Sequence, residues 1–556
     1  MGLWCNKGSL RLAAALALGL TGLSGCGGNS ITEKLTRMLP DSTPYRYAAI
    51  VADDSAAVVA AQDVITRGGT AADAAVSLYF TLAVTMPSVA SLGGGGTCLV
   101  HDPKRKRTEM LDFIAPQPAS GVAQGDRPSA VPGNVRGMAI LHGRYGQLPW
   151  RDLLAKAEDL ARGGVMLSRP TAGDLARAAG PLFADETARS VFATDKGAPR
   201  VEGDVVRQVD LGATIAQVRA RGAGAFYTGT LADRIVAGVV RAGGTLTKED
   251  LRSMVPQWRP APSVDFEKGR LYVSAPPALG GVTAAEMWQM LVTDARYSKA
   301  PAEERMHLLA EVSRRALHDR GAWLALNGNV DAEAQQMLSS EHARSLMSNY
   351  DPESATPVSA FAGQSGDEME NPSGTGFVVV DGTGLAVACS VTLYNPFGTG
   401  RLVPGIGIFL AQAPGVGSRN PYSLGPVMVT DPDGEVFRFA AAGAGGGAVA
   451  PAIVSVAART LLDGEPLADA MKGGRVFASP TSGSVVVESA DSAPRVETLV
   501  RRGHDVRRID SLGRINVVYC ASGLPTDSLR YAKCSPETDN RGEGLGVTLL
   551  LQQHQE

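Results

Sequence analysis

Ser373, Gly374 and Thr375 stand just before a short apolar run, Phe377 to Asp381. A turn at Gly382-Thr383-Gly384 and a second run rich in β-branched and small residues, Leu385 to Leu393, complete a β-hairpin pattern. A hydroxyl at the mouth of a buried strand is where a chain that cuts itself would keep its nucleophile. The same residues also read as a Gly/Ser linker entering a core strand, approached through the acidic stretch Gly366 to Glu370. A second constellation is the glycine-rich run Gly443 to Ala448, with a helix expected from about Ala450 to Leu462 and Pro451 in its first turn. Backbone N–H groups of Gly446 and Gly447 at that helix N-terminus suit a developing negative charge.

Other chemistry-bearing patterns fall away on spacing. Leu92 to Thr97 carries four consecutive glycines but lacks the Gly-Lys-Ser/Thr ending of a phosphate loop, and a strand pattern follows it rather than a helix. Gly443 to Ala448 fits G-x-G-x-x-A, with Asp463 as the downstream acid, but no strand intervenes, so a dinucleotide site is rejected. His307 and His318 share a helix face yet lie about 16 Å apart, too far for a common metal. No ligand cluster is expected among the histidines, and no cofactor is expected. A net charge of −3 gives no basic surface for nucleic acid. The one basic run, Lys104 to Arg107, reads as a solvated hairpin turn.

The N-terminus reads as an export signal. Lys7 and Arg11 precede an apolar core, Leu12 to Leu23, too short for an ordinary membrane span. Leu23-Ser24-Gly25-Cys26 resembles a bacterial lipobox, which implies cleavage before Cys26 and lipid on its thiol; a plain secretory peptide is the alternative. Gly27 to Thr32 suits a tether, and no acidic residue directly follows Cys26. The expected location is the bacterial cell envelope, lipid-anchored at the outer membrane and facing the periplasm. In that oxidising compartment Cys520 and Cys534 flank a turn-rich segment and are expected to pair. They would close a loop of about 15 residues, worth roughly 3 kcal/mol in the chain-entropy model. Cys98 and Cys389 lie in apolar strand-like runs and read as buried small hydrophobes.

A hydrophobic fraction of 44% over 556 residues is enough for a large core. Ala48 to Asp53 reads as a strand and Ser55 to Arg67 as a helix. Thr70 and Asp73 then form a capping-box start to a helix apolar nearly all round. Pro132 to about Asp351 reads as mostly helical, including a long amphipathic helix over Met306 to Leu324. From Phe377 onward β structure dominates, with a second hairpin at Val427 to Thr430, Asp431-Pro-Asp-Gly434, and Val436 to Ala442.

Collinear motifs from Ala48 to Gly546 resemble the γ-glutamyltransferases, or glutathione hydrolases. They include Gly68-Gly69 with Asp73-Ala74-Ala75, Gly93 to Gly96, Leu111-Asp112-Phe113 and Tyr145-Gly-Gln-Leu-Pro-Trp150. They continue through Phe226-Tyr227-Thr228-Gly229, Phe397-Gly398-Thr399-Gly400 and Gly443 to Gly447. The resemblance implies an α+β fold, a four-layer αββα sandwich of the N-terminal-nucleophile hydrolases. Its precursor would cut itself before a threonine whose freed amine acts as its own base, and the threonine Oγ would attack a γ-glutamyl amide. The implied organisation is a signal peptide (1–25), a lipidated tether (26–47), a large-subunit-like region (48–373), a small-subunit-like region (374–546) and a tail (547–556).

By the same resemblance Gly446 and Gly447 form the oxyanion hole and Thr392 is the supporting threonine. Counting back from Asp381 puts Gly374 at the nucleophile, Thr375 at the second threonine and Gly376 at a histidine. Thr375 is the expected nucleophile if a bulge turns it inward, and Ser373 is the weaker candidate. The arginine that grips the donor carboxylate falls on Ile114. An asparagine becomes Tyr394, the Asn-Asn…Asp-Asp segment becomes Ala411 to Gly415, and the paired serines become Tyr422-Ser423. Two functions follow. One is a self-processing amide hydrolase or acyltransferase with altered donor specificity, acting on a small-molecule or peptide amide. The other is a non-catalytic envelope lipoprotein that uses the same cleft for binding.

Overall fold

Alternating burial along the strands decides how the chain is layered. In the computed structural model, described over residues 45–121, 128–324, 335–361, 373–415, 423–479 and 483–552, two large sheets carry the molecule. Numbering only the strands of these sheets, they are β1 (Tyr45–Ala52), β2 (Gly95–Asp102), β3 (Arg107–Phe113), β4 (Gln257–Pro260), β5 (Ser263–Phe266) and β6 (Gly269–Val273). They continue with β7 (Gly374–Asp381), β8 (Ala386–Thr392), β9 (Val427–Thr430), β10 (Phe437–Ala444), β11 (Arg514–Leu524), β12 (Cys534–Glu537) and β13 (Leu545–Gln552). The first sheet has the order β13-β1-β7-β8-β2-β3-β4, and the second β12-β11-β10-β9-β6-β5. The fold is mixed α and β.

Period two in the strands sends alternate side chains to different cores. In β7, Val378 and Val380 join Met428, Ala440, Ala442 and Val518 of the second sheet in one buried cluster. Phe377 and Val379 instead pack with helices α1 (Ser55–Thr66) and α2 (Ala71–Thr85). The other faces of β9, β10 and β11 pack on α3 (Leu279–Val292), α4 (Ala302–Leu324) and α6 (Val449–Ala457).

The capping box expected at Thr70 is present. Thr70 Oγ1 accepts from Asp73 N, and the Asp73 carboxylate accepts from Thr70 N. All fifteen residues of α2 are buried, which agrees with its apolar circumference. Asp381, at the end of β7, accepts from Ala71 N at 2.8 Å, so the critical hairpin also anchors the start of this helix.

Several boundaries differ from expectation. β1 begins at Tyr45, inside the stretch read as tether. Leu545–Gln552 is an edge strand paired with β1, so much of the region read as tail belongs to the sheet. Its alternation of half-buried and exposed residues is too weak to signal a strand until β1 supplies the pairing partner. The strand read as starting at Phe377 starts at Gly374, because Gly374 and Thr375 already pair with Thr392 and Val391.

Cys520 and Cys534 form the expected disulfide between directly opposed residues of β11 and β12. Cys98 and Cys389, read as buried small hydrophobes, are buried but bonded to each other across β2 and β8. They are separated by 291 residues in sequence, and only the adjacency of the two strands brings them together. Cys26 lies outside the described residues. No helix among the described residues is long and apolar enough to cross a membrane.

Candidate active site

Register fixes which groups of β7 can do chemistry. The β7–β8 ladder runs without a shift from Gly374↔Thr392 to Val380↔Ala386. No bulge turns Thr375 inward. Thr375 therefore shares a face with Phe377 and Val379, and its Oγ1 donates to Asp53 Oδ2 at 2.7 Å. Asp53 also accepts from Arg514 Nε at 3.1 Å and from Asn516 Nδ2 at 2.8 Å, while Asn516 Nδ2 donates to Gly376 O as well. Thr375 is thus a fully buried member of a polar network on the side away from the glycine loop. The expectation that it stands in the cleft is corrected: a regular ladder leaves its side chain on the opposite face. No local pattern marks Asp53, Arg514 and Asn516 as its partners, since the contacts Thr375–Asp53 and Asp53–Asn516 span 322 and 463 positions.

On the other face the glycines meet the second sheet. A Cβ on Gly376 would collide with backbone atoms of Ala442 and Gly443. A Cβ on Gly374 would lie 2.9 Å from Val391 O and 3.6 Å from Thr392 Cβ, a tight but more open position. The cleft beside Gly374 encloses about 20 Å³ and is lined by Ser373, Thr392, Tyr394, Ser423, Gly445 and Gly446, among others. Gly445 and Gly446 have φ of 138° and 60°, a backbone course that favours glycine. A short 3₁₀ turn, Gly446–Ala448, leads into α6, so the loop's N–H groups lie at a helix start. Gly447 is buried in this turn next to the lining residue Gly446.

Thr392, the last residue of β8, lines the same cleft. Its Oγ1 donates to Ser373 O at 3.0 Å and accepts from Tyr394 N at 2.9 Å. It therefore grips the carbonyl immediately before Gly374. Ser373, 1% exposed, lies outside the strand and contributes to the same cleft. Hydroxyl, threonine support and glycine loop come together around Ser373, not Thr375.

A buried apolar cluster adjoins the cleft through Tyr394. Ile114, Ala115, Tyr394 and Ala411 share the core between the sheets. The Tyr394 hydroxyl donates to Ala115 O at 3.3 Å, and burial pushes its pKa well above the ordinary phenol value. Tyr422 lies outside the described residues.

The expectation that the histidines form no cluster is also corrected. His307 Nδ1 and His504 Nε2 approach to 2.7 Å beside Glu311. Burial pushes His504 down to about 4 and lowers His307 as well. His342, on helix α5 (Ser340–Leu346), meets Asp319 and Glu286. Spacing within one helix could not reveal contacts made between different segments.

These features match known proteins. The γ-glutamyltranspeptidase family model covers residues 57–545. The glutathione hydrolase proenzyme of Escherichia coli is 26% identical over 84% of this chain and 87% of its own length. Human glutathione hydrolase 7 is also 26% identical, over 86% and 76%. Cephalosporin acylase from Bacillus halodurans superposes with a TM-score of 0.75 at 23% identity, covering 91% of this chain and 96% of that one, which shows a shared fold. The γ-glutamyltranspeptidase of Helicobacter pylori gives 0.52 at 27% identity over 55% and 92%. Family and relatives thus place the chain among the N-terminal-nucleophile hydrolases. It belongs to the γ-glutamyltranspeptidase family, whose curated relatives are glutathione hydrolases.

Proposed function

We propose that this protein is a self-processing amide hydrolase or acyltransferase with a four-layer αββα arrangement, in which Ser373 takes the nucleophile's role. The observation that carries this reading is the meeting of Ser373, Thr392 and Gly446 around one cleft, with Thr375 on the far face. In the cut, Ser373 Oγ attacks the carbonyl on its N-terminal side. The C–N bond breaks, the Ser373 nitrogen takes the hydroxyl proton, and water then hydrolyses the ester. The freed amine serves as base when Ser373 Oγ attacks a substrate amide. N–H groups of Gly446 and Gly447 receive the oxyanion, and Thr392 orients the nucleophile. Tyr394 at the cleft, packed in one apolar cluster with Ile114, supports an acyl group less charged than γ-glutamyl. The substrate class is a small-molecule or peptide amide. Lipidation of Cys26 would hold the enzyme at the outer membrane, facing the periplasm; Cys26→Ala should abolish incorporation of labelled palmitate.

Amino-terminal sequencing of bands from a denaturing gel tests the mechanism. A small fragment beginning at Ser373, absent in Ser373→Ala and retained in Ser373→Thr, is expected. A fragment beginning at Thr375 would reject Ser373 and retain the chemistry. A second reading, a non-catalytic envelope lipoprotein that binds ligands in the cleft, is favoured by the absence of a side chain at Gly374. A chain that stays whole after prolonged incubation selects it.

A further inference from the structure

Glu286 lies in the middle of α3, a helix buried almost throughout. The residue is 1% exposed, and neither of its carboxylate oxygens has a hydrogen-bond partner. A buried carboxylate left in this way is costly unless a cation or proton joins it. Two neighbours from other helices face it. Asp319 is on α4 and His342 on α5, with His342 Nε2 at 2.8 Å from Asp319 Oδ2. One donor atom from each of the three residues lies within 4.8 Å of the others. We propose that Glu286, Asp319 and His342 bind a divalent metal ion, zinc by donor type, in the helical layer outside the cleft.

An imidazole nitrogen with two carboxylate oxygens is a donor set that zinc accepts, and two carboxylates neutralise its charge. The side chains of Asp319 and His342 are 14% and 27% exposed, so the ion has a route from the surface while Glu286 closes the inner side. Without an ion, burial and then the neighbouring Asp319 carboxylate raise the Glu286 pKa well above the ordinary carboxylate range, and Arg320 opposes this only in part. The second cluster, His307, Glu311 and His504, is equally close-knit but differs in chemistry. Glu311 already pairs with Arg315, and Arg314 lies beside it. That cluster supplies an internal control.

Calorimetric titration of the untagged, metal-stripped full chain with Zn²⁺ near neutral pH tests the site. One saturable equivalent is expected. Glu286→Gln, which preserves size, and His342→Ala should each weaken binding by about 100-fold or more, and His504→Ala should leave it unchanged. Far-ultraviolet circular dichroism checks that each variant is folded. Three outcomes overturn the proposal: no saturable equivalent, undiminished binding in both folded ligand variants, or loss of binding in His504→Ala. Each leaves Glu286 and Asp319 sharing a proton rather than a metal.

Discussion

The two faces of strand β7 differ more than any two residues in the chain's motifs suggest. Toward the helices, Thr375, Phe377 and Val379 are fully packed, and the Thr375 hydroxyl is bonded to Asp53. Toward the second sheet stand two glycines, one against backbone and the other beside the cleft. The Thr375 hydroxyl, one position after Gly374, is therefore turned toward Asp53 and is not among the groups that line the cleft. Face, not distance along the chain, decides whether a group on a strand takes part in the site.

Substitutions on the glycine face should have the largest effect and separate its two positions. Gly376→Ala forces a Cβ into the backbone of Ala442 and Gly443 and should cost about 3 kcal/mol or prevent folding. Gly374→Ala, with its nearest neighbour at 2.9 Å, should cost clearly less. Equal losses in urea titrations of the two variants would mean that the faces are not spaced as described. Gly374→Thr sharpens the same comparison, since it returns a hydroxyl to the cleft beside Thr392. A new cut before residue 374 is its expected result on amino-terminal sequencing.

On the helix face, Cys389 lies opposite Phe377 and is bonded to Cys98. The double variant Cys98→Ala/Cys389→Ala should lose about 2–4 kcal/mol relative to the oxidised protein. Equal stability of wild type and variant under non-reducing conditions would break the view of this face as cross-linked. Thr375→Val should be milder, with a loss of about 1–2 kcal/mol, because Asp53 keeps Arg514 and Asn516 as partners. Its self-cleavage should match wild type. Loss of cleavage with stability intact would return Thr375 to the reaction.

The smallest effect concerns Asp381, at the end of the same strand. Burial raises its carboxyl pKa, only partly offset by bonds from Thr383 and Ala71. A raised folded-state pKa means that the folded chain holds the proton more tightly than the unfolded one. That contribution is complete below the ordinary carboxylate value of about 3.9 and is lost as pH rises through the folded-state pKa. Asp381→Asn should remove this component from the slope of Tm against pH, apart from any constant offset due to altered hydrogen bonds. An unchanged slope between about pH 3.5 and 6 would contradict it.

Local patterns settled much of the architecture. The Thr70–Asp73 capping box, the all-round apolar α2, both hairpins and the Cys520–Cys534 pairing depend on nearby residues, and each was legible from the sequence. The glycine-rich run Gly443 to Gly447 was likewise legible, because a loop at positive φ favours glycine whatever surrounds it. Tertiary structure decided the rest. Which way Thr375 faces depends on the ladder with β8, and Cys98 finds Cys389 only after β2 and β8 pair. Asp53, Arg514 and Asn516 meet, as do Glu286, Asp319 and His342, because separate segments converge. A sequence records local propensity and spacing. Contacts between distant segments exist only once the sheets and helices have closed on one another.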